Sequence, residues 1–368
     1  MTTLKLPKMQ SFKNIIILLI FSMFFACQAD KNPPSLFTLL TSAETSVDFV
    51  NSLDFNADFN IYTYRNFYNG GGVAVGDVNN DGLMDIFFTA NMKSNRLYLN
   101  KGDFKFEDIT EYAGVGGSHT WSTGVTMTDV NGDGWLDIYV CNSGHIAGDN
   151  KKNELFINSG KTFSLQKGIE AVQYTDQAEK YGLDDDGFGT QAVFFDYDKD
   201  GDLDAYLVNN SFRSIFDFEF RENQRTVRDE LGGDKLYRND YINPSGESNS
   251  VFTDISAEAG IYGSEIGFGL GVTVGDVNRD GWLDIFVSND FFERDYLYMN
   301  NRDGTYREDL ENQIQSLSVA SMGADIADIN NDAYPEIFVT EMLPKEEKRF
   351  KTKMTFENWN RYQLNFSK

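Results

Sequence analysis

The stretch that decides the fold is Asp129-Val-Asn-Gly-Asp-Gly-Trp-Leu-Asp137, which runs directly into the apolar segment Ile138–Val140. Acidic or amide side chains stand at loop positions 1, 3, 5 and 9, and glycine stands at position 6. Loops of this kind also begin at Asp77, Asp196, Asp276 and Asp328. Hairpin turns favour the same residue types, but full matches at four equivalent places indicate a repeated functional loop.

This loop pattern predicts calcium binding, because Ca²⁺ takes about six to eight oxygen ligands in flexible geometry. Side chains at positions 1, 3 and 5 converge when the loop curls, position 7 offers its backbone carbonyl and position 9 adds a carboxylate. The predicted ligands are Asp77, Asn79, Asp81, Leu83 and Asp85; Asp129, Asn131, Asp133, Trp135 and Asp137; Asp196, Asp198, Asp200, Asp202 and Asp204; Asp276, Asn278, Asp280, Trp282 and Asp284; and Asp328, Asn330, Asp332, Tyr334 and Glu336.

The fifth loop departs from this pattern at two positions. Ala333 replaces the glycine, which carries a steric cost at positive φ, and Glu336 replaces the last aspartate. We therefore expect four calcium sites and a weaker fifth one.

Position 12 separates these loops from EF-hands and dockerins. An EF-hand needs a bidentate carboxylate there, followed by a helix. Position 12 is apolar in every loop, with Phe88, Val140, Leu207, Val287 and Val339 in turn. Both alternatives are therefore excluded.

Apolar segments at fixed places around the loops predict β-strands. Those before the loops are Val73–Val75, Val125–Met127, Ala192–Phe195, Val272–Val274 and Ala324–Ile326. Those after them are Ile86–Phe88, Ile138–Val140, Ala205–Val208, Ile285–Val287 and Ile337–Val339. Third strands are predicted at Arg96–Asn100, Glu154–Asn158, Lys235–Asn239 and Tyr296–Asn300, and fourth strands at Phe104–Thr110 and Val251–Ser256. Repeated four-stranded antiparallel units predict an all-β fold, a β-propeller of four-stranded blades.

The loops, together with the pairs Phe188-Gly189 and Phe268-Gly269, resemble the FG-GAP/VCBS repeat family over residues 36–340. The resemblance implies an integrin-α-type propeller whose Asp-rich loops bind calcium in support of the fold, with ligands bound on the opposite face. The members that this chain resembles include large secreted bacterial lipoproteins that carry this propeller at their N-terminus and further domains after it.

Composition narrows the class of partner. The chain has 368 residues and a formal net charge of −25, and its acids recur in short loops rather than in blocks. Nucleic-acid binding is not expected, because phosphate contacts need a basic surface. The two cysteines, Cys27 and Cys141, form no disulfide framework, and the apolar neighbours of Cys141 predict a small buried hydrophobe.

The N-terminus has the features of an export signal. Lys5, Lys8 and Lys13 precede the apolar run 15–25, which is too short to span a bilayer, and Phe24-Phe-Ala-Cys27 resembles the lipobox of bacterial lipoproteins. We expect a lipoprotein signal peptide at 1–26, lipidation of Cys27, a tether at 27–35 and the propeller at 36–368. An ordinary signal peptide or a membrane anchor is the alternative. From the lipobox resemblance we expect the protein outside the cytoplasm, at the outer membrane or cell surface of a Gram-negative bacterium, with the membrane contacted only through the lipid.

The predicted propeller is incomplete, with about five of seven blades. Phe37–Thr41 resembles a fourth strand and has no blade of its own, so it is expected to be the outer closing strand of a last blade. No third strand follows Val339, and 341–368 is expected to be a charged, partly helical excursion. We expect an N-terminal fragment; the alternative is a ring of five units in which the tail supplies the missing strands.

Strand polarity places the long insertions on the face opposite the Asp-rich loops. These are Asn142–Asn153, Asn209–Gly233 and Asn289–Asp295, and the same face carries His119, His145, Trp121, Arg213, Phe216, Phe291 and Phe292. Long loops on a rigid scaffold are a common place for binding, so this face is expected to bind a protein or glycan partner. Each aromatic taken singly is expected to pack locally.

The chain is not expected to be an enzyme. The two histidines stand alone in their segments, and the sequence contains no Ser-His-Asp signature and no phosphate-binding glycine loop. The alternative is the propeller domain of a polysaccharide- or ester-processing enzyme, since paired carboxylates could be drawn from the many acids. A purely structural spacer is a third possibility.

Overall fold

The computed structural model describes residues 35–117, 121–144, 151–165, 168–212, 224–240, 252–291, 293–318 and 320–342. Contacts divide the chain into two compact units, residues 1–44 and 45–368. Four-residue helices occur at α1 (Ser42–Thr45), α2 (Thr110–Ala113), α3 (Ala178–Tyr181) and α4 (Leu310–Gln313), with a 3₁₀ turn at Gln224–Thr226.

The closing strand predicted at Phe37–Thr41 is not formed. Residues 35–41 contain no strand, and Phe37 is exposed. Instead, the Glu44 carboxylate accepts hydrogen bonds from the backbone N–H and the hydroxyl of Thr41, both at 2.8 Å. This is the reciprocal half of a Thr-x-x-Glu capping box, and it starts α1 directly after the segment for which the sequence pattern indicated a β-strand.

The second unit is a series of antiparallel sheets. Blade one is β1 (Val73–Gly76), β2 (Asp85–Phe88), β3 (Arg96–Asn100) and β4 (Phe106–Asp108). Blade two is β5 (Ser122–Thr128), β6 (Asp137–Asn142), β7 (Glu154–Asn158) and β10 (Tyr174–Asp176), with a separate hairpin of β8 (Phe163–Leu165) and β9 (Ile169–Ala171). Blade three is β11 (Gly189–Phe195), β12 (Asp204–Asn209), β13 (Lys235–Asn239) and β14 (Phe252–Asp254). Blade four is β15 (Gly269–Gly275), β16 (Asp284–Asn289), β17 (Tyr296–Asn300) and β18 (Tyr306–Glu308), and the fifth sheet pairs β19 (Ser321–Ala327) with β20 (Glu336–Glu341).

These sheets confirm every predicted first, second and third strand, and they confirm the two predicted fourth strands. Two further fourth strands, β10 and β18, were not predicted. Both begin with Tyr and carry an acid two residues later, as the Phe-x-Asp of β4 and β14 does. An aromatic-x-acid signal could therefore have found them.

The first strands of the sheets pack side by side in chain order, β1, β5, β11, β15 and β19. Each sheet is thus a blade, and the first strands are the inner ones of a propeller. Apolar clusters fill the space between successive blades. Because side chains alternate along a strand, Ile138 and Val140 of β6 pack against blade one, and Tyr139 and the buried Cys141 pack against blade three.

The array of described blades is open at both ends. Val73 and Val75 of β1 are exposed, as is Phe338 of β20. Every residue of β6, β12 and β16 is buried, as predicted for strands covered on both faces. The fold is therefore all-β and is an incomplete propeller.

Glycines let the inner strands of neighbouring blades approach closely. A Cβ atom on Gly124 would lie 2.8 Å from Gln191 Cα and closer still to the Thr190 carbonyl oxygen. At the equivalent place in blade four, a Cβ on Gly271 would lie 3.5 Å from Gly323 Cα, an ordinary contact. The backbones of blades two and three are therefore the more tightly packed pair.

We expect Gly124→Ala to destabilise the protein by about 1–3 kcal/mol, because the added methyl group forces two inner strands apart. Gly271→Ala is the matched control and should lie within about 1 kcal/mol of the wild type, with reduced unfolded-state entropy acting in its favour. Urea denaturation measures both. Equal effects of the two substitutions would contradict the close approach.

Candidate functional site

The five Asp-rich loops are the turns between the first and second strands of the blades, so they share one end of the array, here the Asp-loop face. In loop four the two Asp276 oxygens accept backbone N–H bonds from Asp280 at 2.9 Å and Gly281 at 2.8 Å. Asp280 Oδ1 accepts from Trp282 N at 2.9 Å. The loop is thus curled around its own side chains, and the same bonds recur in loops one, two and five.

Two backbone positions of each loop lie in the left-handed region. The predicted positive φ at position 6 is found at every loop, including Ala333, where φ is 68°. Position 4 is also left-handed, which the sequence reasoning missed; its residues are Asn80, Gly132, Lys199, Arg279 and Asn331. The asparagines and the glycine at position 4 were a usable signal, since both residue types tolerate this conformation.

The aspartate at position 9 is buried in each of the first four loops. In loop four, Asp284 Oδ2 accepts from Val277 N at 3.0 Å and Oδ1 accepts from Asn300 N at 2.9 Å. The first bond closes the loop, and the second joins it to the end of the third strand. Equivalent bonds are made by Asp85, Asp137 and Asp204.

This clamp is a structural role that the sequence analysis did not assign to position 9. The available signal was the asparagine that ends every third strand, at Asn100, Asn158, Asn239 and Asn300. Its side-chain amide donates back to the carbonyl at loop position 8, as from Asn100 to Met84 O at 2.8 Å. In the fifth loop Glu336 accepts from Ile329 N at 3.0 Å, which keeps the loop-closing half of the clamp.

Loop three offers the densest set of cation ligands. Carboxylate oxygens of Asp196, Asp198 and Asp204 lie within 4.8 Å of one another. Asp196 Oδ1 and Asp202 Oδ1 are buried and accept no hydrogen bond. Buried oxygens of this kind are costly unless something satisfies them, and converging carboxylates are the ligands that Ca²⁺ prefers. The residues present therefore fit a calcium ion.

The other loops place similar oxygens together but satisfy more of them internally. In loops one, four and five the position-3 asparagine donates to the position-5 aspartate, at 3.0 to 3.1 Å. In loop four Arg302 also pairs with Asp280 at 2.8 Å. A cation at loop four would share Asp280 with this guanidinium.

The clamping carboxylates have raised pKa values. Burial raises the pKa of Asp85 and Asp137 to about 7, that of Asp204 to about 8 and that of Asp284 to about 6. The two backbone N–H bonds act in the opposite direction, and neighbouring loop carboxylates add to the rise. Burial therefore disfavours the charged form of these carboxyl groups.

The opposite face is covered by residues 51–68, here called the cover segment. Asn51 donates to Asn91 Oδ1 of blade one at 2.7 Å, and the Tyr64 hydroxyl bonds the Ser143 hydroxyl of blade two at 2.8 Å. Beneath the segment, Tyr64 and Phe67 are buried against Trp121. Trp121 thus packs internally, as expected of the single aromatics on this face.

Arg65 extends the cover segment to blades three and four. Its guanidinium donates to the Ser211 carbonyl and lies 4.5 Å from the centre of the Phe268 ring and 5.0 Å from that of Phe291. Burial lowers the pKa of Arg65 to about 10, and the nearby Asp290 carboxylate opposes this shift. Phe291 is therefore part of an internal contact.

The remaining residues predicted on the opposite face are only partly described. His119, His145, Arg213, Phe216 and Phe292 lie outside the described residues, as does Cys27. The described part of the 209–233 insertion is fixed by an ion pair between Arg225 and Glu293, at 2.5 Å. Val227, next to this pair, is exposed.

The sequence matches one family model and several curated proteins. A family model described as FG-GAP-like repeat matches residues 77–140 and 276–339. Cartilage acidic protein 1 of Xenopus tropicalis is 27% identical over 226 residues, which are 61% of this chain and 29% of that protein. The human protein of that name is 27% identical over 227 residues, 60% of this chain and 28% of its own length. The chain thus spans less than a third of the length of the curated relatives it matches.

Two solved structures are similar to this chain at low identity and low TM-score. A lectin of Agrocybe aegerita, described as recognising non-reducing terminal N-acetylglucosamine, gives a TM-score of 0.37 at 16% identity, covering 74% of this chain and 60% of the lectin. The biofilm matrix protein Bap1 of V. cholerae gives 0.35 at 14% identity, covering 73% of this chain and 34% of Bap1. The FG-GAP-like repeat model thus matches this chain at two places, 77–140 and 276–339, which contain the first, second, fourth and fifth Asp-rich loops.

Proposed function

We propose that this chain is a lipid-anchored, calcium-stabilised extracytoplasmic propeller that binds a protein or glycan partner through the face opposite the Asp-rich loops. The observation that carries the proposal is the difference between the two faces. Loop carboxylates on the Asp-loop face are turned inward onto their own backbone. The opposite face carries the cover segment and the insertions, which present exposed side chains on a rigid scaffold.

Calcium is proposed at the first four loops, with a weaker site at the fifth. Loop three supports this best, because its carboxylates converge and two of its buried oxygens lack hydrogen bonds. A bound ion would supply positive charge to these carboxylates. The position-9 aspartates would then serve both as clamps and as ligands.

We expect calcium to raise the melting temperature, because a metal that binds only the folded state stabilises it by about 2.7 kcal/mol per site at 100 times Kd. When a chelator has removed calcium, the free energy of unfolding should fall as the pH rises from 5 to 8. The folded pKa values of Asp85, Asp137, Asp204 and Asp284 are raised above the unfolded value of 3.8, so the folded state binds more protons through this window and loses stability as they leave. Scanning calorimetry with and without calcium measures both effects.

Asp198→Ala separates a metal role from a structural one. It should lower the melting temperature in calcium and leave it unchanged or raised in chelator, because a repelling carboxylate is removed. Glu258→Ala, an exposed acid outside the loops, should have no effect in either buffer. An identical melting temperature of the wild type with calcium and with chelator would refute the calcium proposal.

The partner-binding face can be tested by blocking one face at a time. Two cysteine variants, Val227→Cys and Tyr334→Cys, are made in a Cys27→Ser background and labelled with a polyethylene glycol maleimide. Val227→Cys carries the polymer on the opposite face, and Tyr334→Cys carries it on the Asp-loop face. Cys141 is buried and is not expected to react. Glycan and peptide arrays are probed with the calcium-loaded protein. The modification at position 227 should reduce partner binding at least about tenfold, and that at position 334 should not.

The reverse pattern would refute the assignment of the binding face, and blank arrays would count against a binding function. Release of product from a bound glycan or ester would favour the alternative, a domain of a polysaccharide- or ester-processing enzyme.

We propose a lipid anchor at Cys27 because the sequence around it resembles a lipobox. Cys27 itself lies outside the described residues. Among the residues that the structure describes, no helix is long and apolar enough to span a bilayer. Cys27→Ser should abolish incorporation of labelled palmitate by bacterial cells that express the protein, and Cys141→Ala should retain it. Undiminished labelling of Cys27→Ser would refute lipidation at this residue.

A further inference from the structure

The cover segment presents a hollow to solvent. This aromatic cup has a volume of about 490 Å³ and is lined by Phe55, Asn56, Ala57, Asn60, Ile61, Tyr62 and Tyr68. Tyr62 is 96% exposed, Phe55 73% and Tyr68 62%. Three large aromatic side chains held in water around one hollow do nothing for the core, and exposed apolar patches of this kind mark interaction sites.

The cup has a fixed frame. Asn56 Oδ1 accepts from the backbone N–H groups of Asp58 and Phe59, both at 2.8 Å. Asn60 Oδ1 accepts from Tyr62 N at 2.8 Å, and its amide donates to Asn56 O at 2.9 Å. The buried Tyr64 and Phe67 follow directly in the chain and fasten this turn to the blades. A ligand would therefore meet side chains carried by an ordered backbone.

We propose that the cup receives a lysine- or arginine-bearing segment of a protein partner. This deepens the proposed function and rests on it. Cations are attracted to the faces of Phe and Tyr rings, the lining contains no charged side chain, and Asp54 and Asp58 are exposed on the same segment. A net charge of −25 attracts a basic partner over distance and repels an acidic one.

The hydrogen bonding of the cup disfavours a glycan in the same place. A sugar ring needs donors and acceptors for its hydroxyl groups as well as an apolar face. Both asparagines of the lining use their side-chain oxygens on the backbone, and Asn60 uses its amide as well. The side-chain groups left for a ligand are the aromatic rings, the Tyr62 and Tyr68 hydroxyls and the Asn56 amide. These are few polar groups for the hydroxyls of a sugar, whereas the ring faces suit the stem and charged end of Lys or Arg.

The test uses calcium-loaded protein and three probes: a blocked peptide of alternating Lys and Gly, its Glu–Gly counterpart and a neutral hexasaccharide. We expect binding of the lysine peptide alone by calorimetry. Phe55→Ala/Tyr62→Ala should weaken it about tenfold, the loss of two cation–π contacts. Phe104→Ala is the matched control, since Phe104 is 67% exposed in the β3–β4 turn of the Asp-loop face; it should leave the affinity unchanged.

Each other outcome overturns the inference in a distinguishable way. Equal affinity of wild type and Phe55→Ala/Tyr62→Ala would mean that net charge alone holds the peptide. Hexasaccharide binding lost in that variant would make the cup a glycan site. If array partners still bind the variant, the cup is excluded and the proposed function stands. If neither the peptide nor any array partner binds the wild type, both fail.

Discussion

The buried carboxylate at loop position 9 is the interaction on which the blades depend. It accepts one backbone N–H from the loop that precedes its strand and another from the end of the third strand. Hydrogen bonds to a charged group contribute about 1.5–3 kcal/mol each, set against the cost of burying the charge. Three strands of a blade are thereby held in register at the end where each sheet turns, so the same aspartate recurs in every complete blade.

The first and second strands of each blade were predictable from sequence because they flank an Asp-rich loop of fixed length, so their positions follow from the position of the loop. The fourth strands are short and partly exposed, so they lack a long apolar run, and β10 and β18 were not predicted. The apolar residues of Phe37–Thr41 resemble a strand, but residues 35–41 form none, and the bond between Thr41 and Glu44 starts a helix directly after them. The cup and the cover segment could not be foreseen, since they depend on contacts between residues far apart in the chain, such as Arg65 and Asn210.

The Asp-loop face combines acidic residues with exposed aromatic side chains such as Phe104 and Tyr334. Acids crowd one end, where neighbouring loops also contact each other, with Lys199 over the Trp282 ring at 4.6 Å and Arg279 over that of Tyr334 at 4.3 Å. These basic residues stand at the left-handed position 4 and reach the next blade. The loops therefore connect neighbouring blades as well as closing each hairpin.

The position of Arg65 has a consequence for the order of assembly. The cover segment lies near the start of the chain, and one of its anchors is 145 residues further on. Contacts between such distant residues form slowly, because the intervening chain must first be organised. During synthesis residues 51–68 leave the ribosome before the four blades that they contact, since those blades follow in the chain. A segment that is translated before the blades can thus complete its contacts only after them, and its docking requires that four blades have come together.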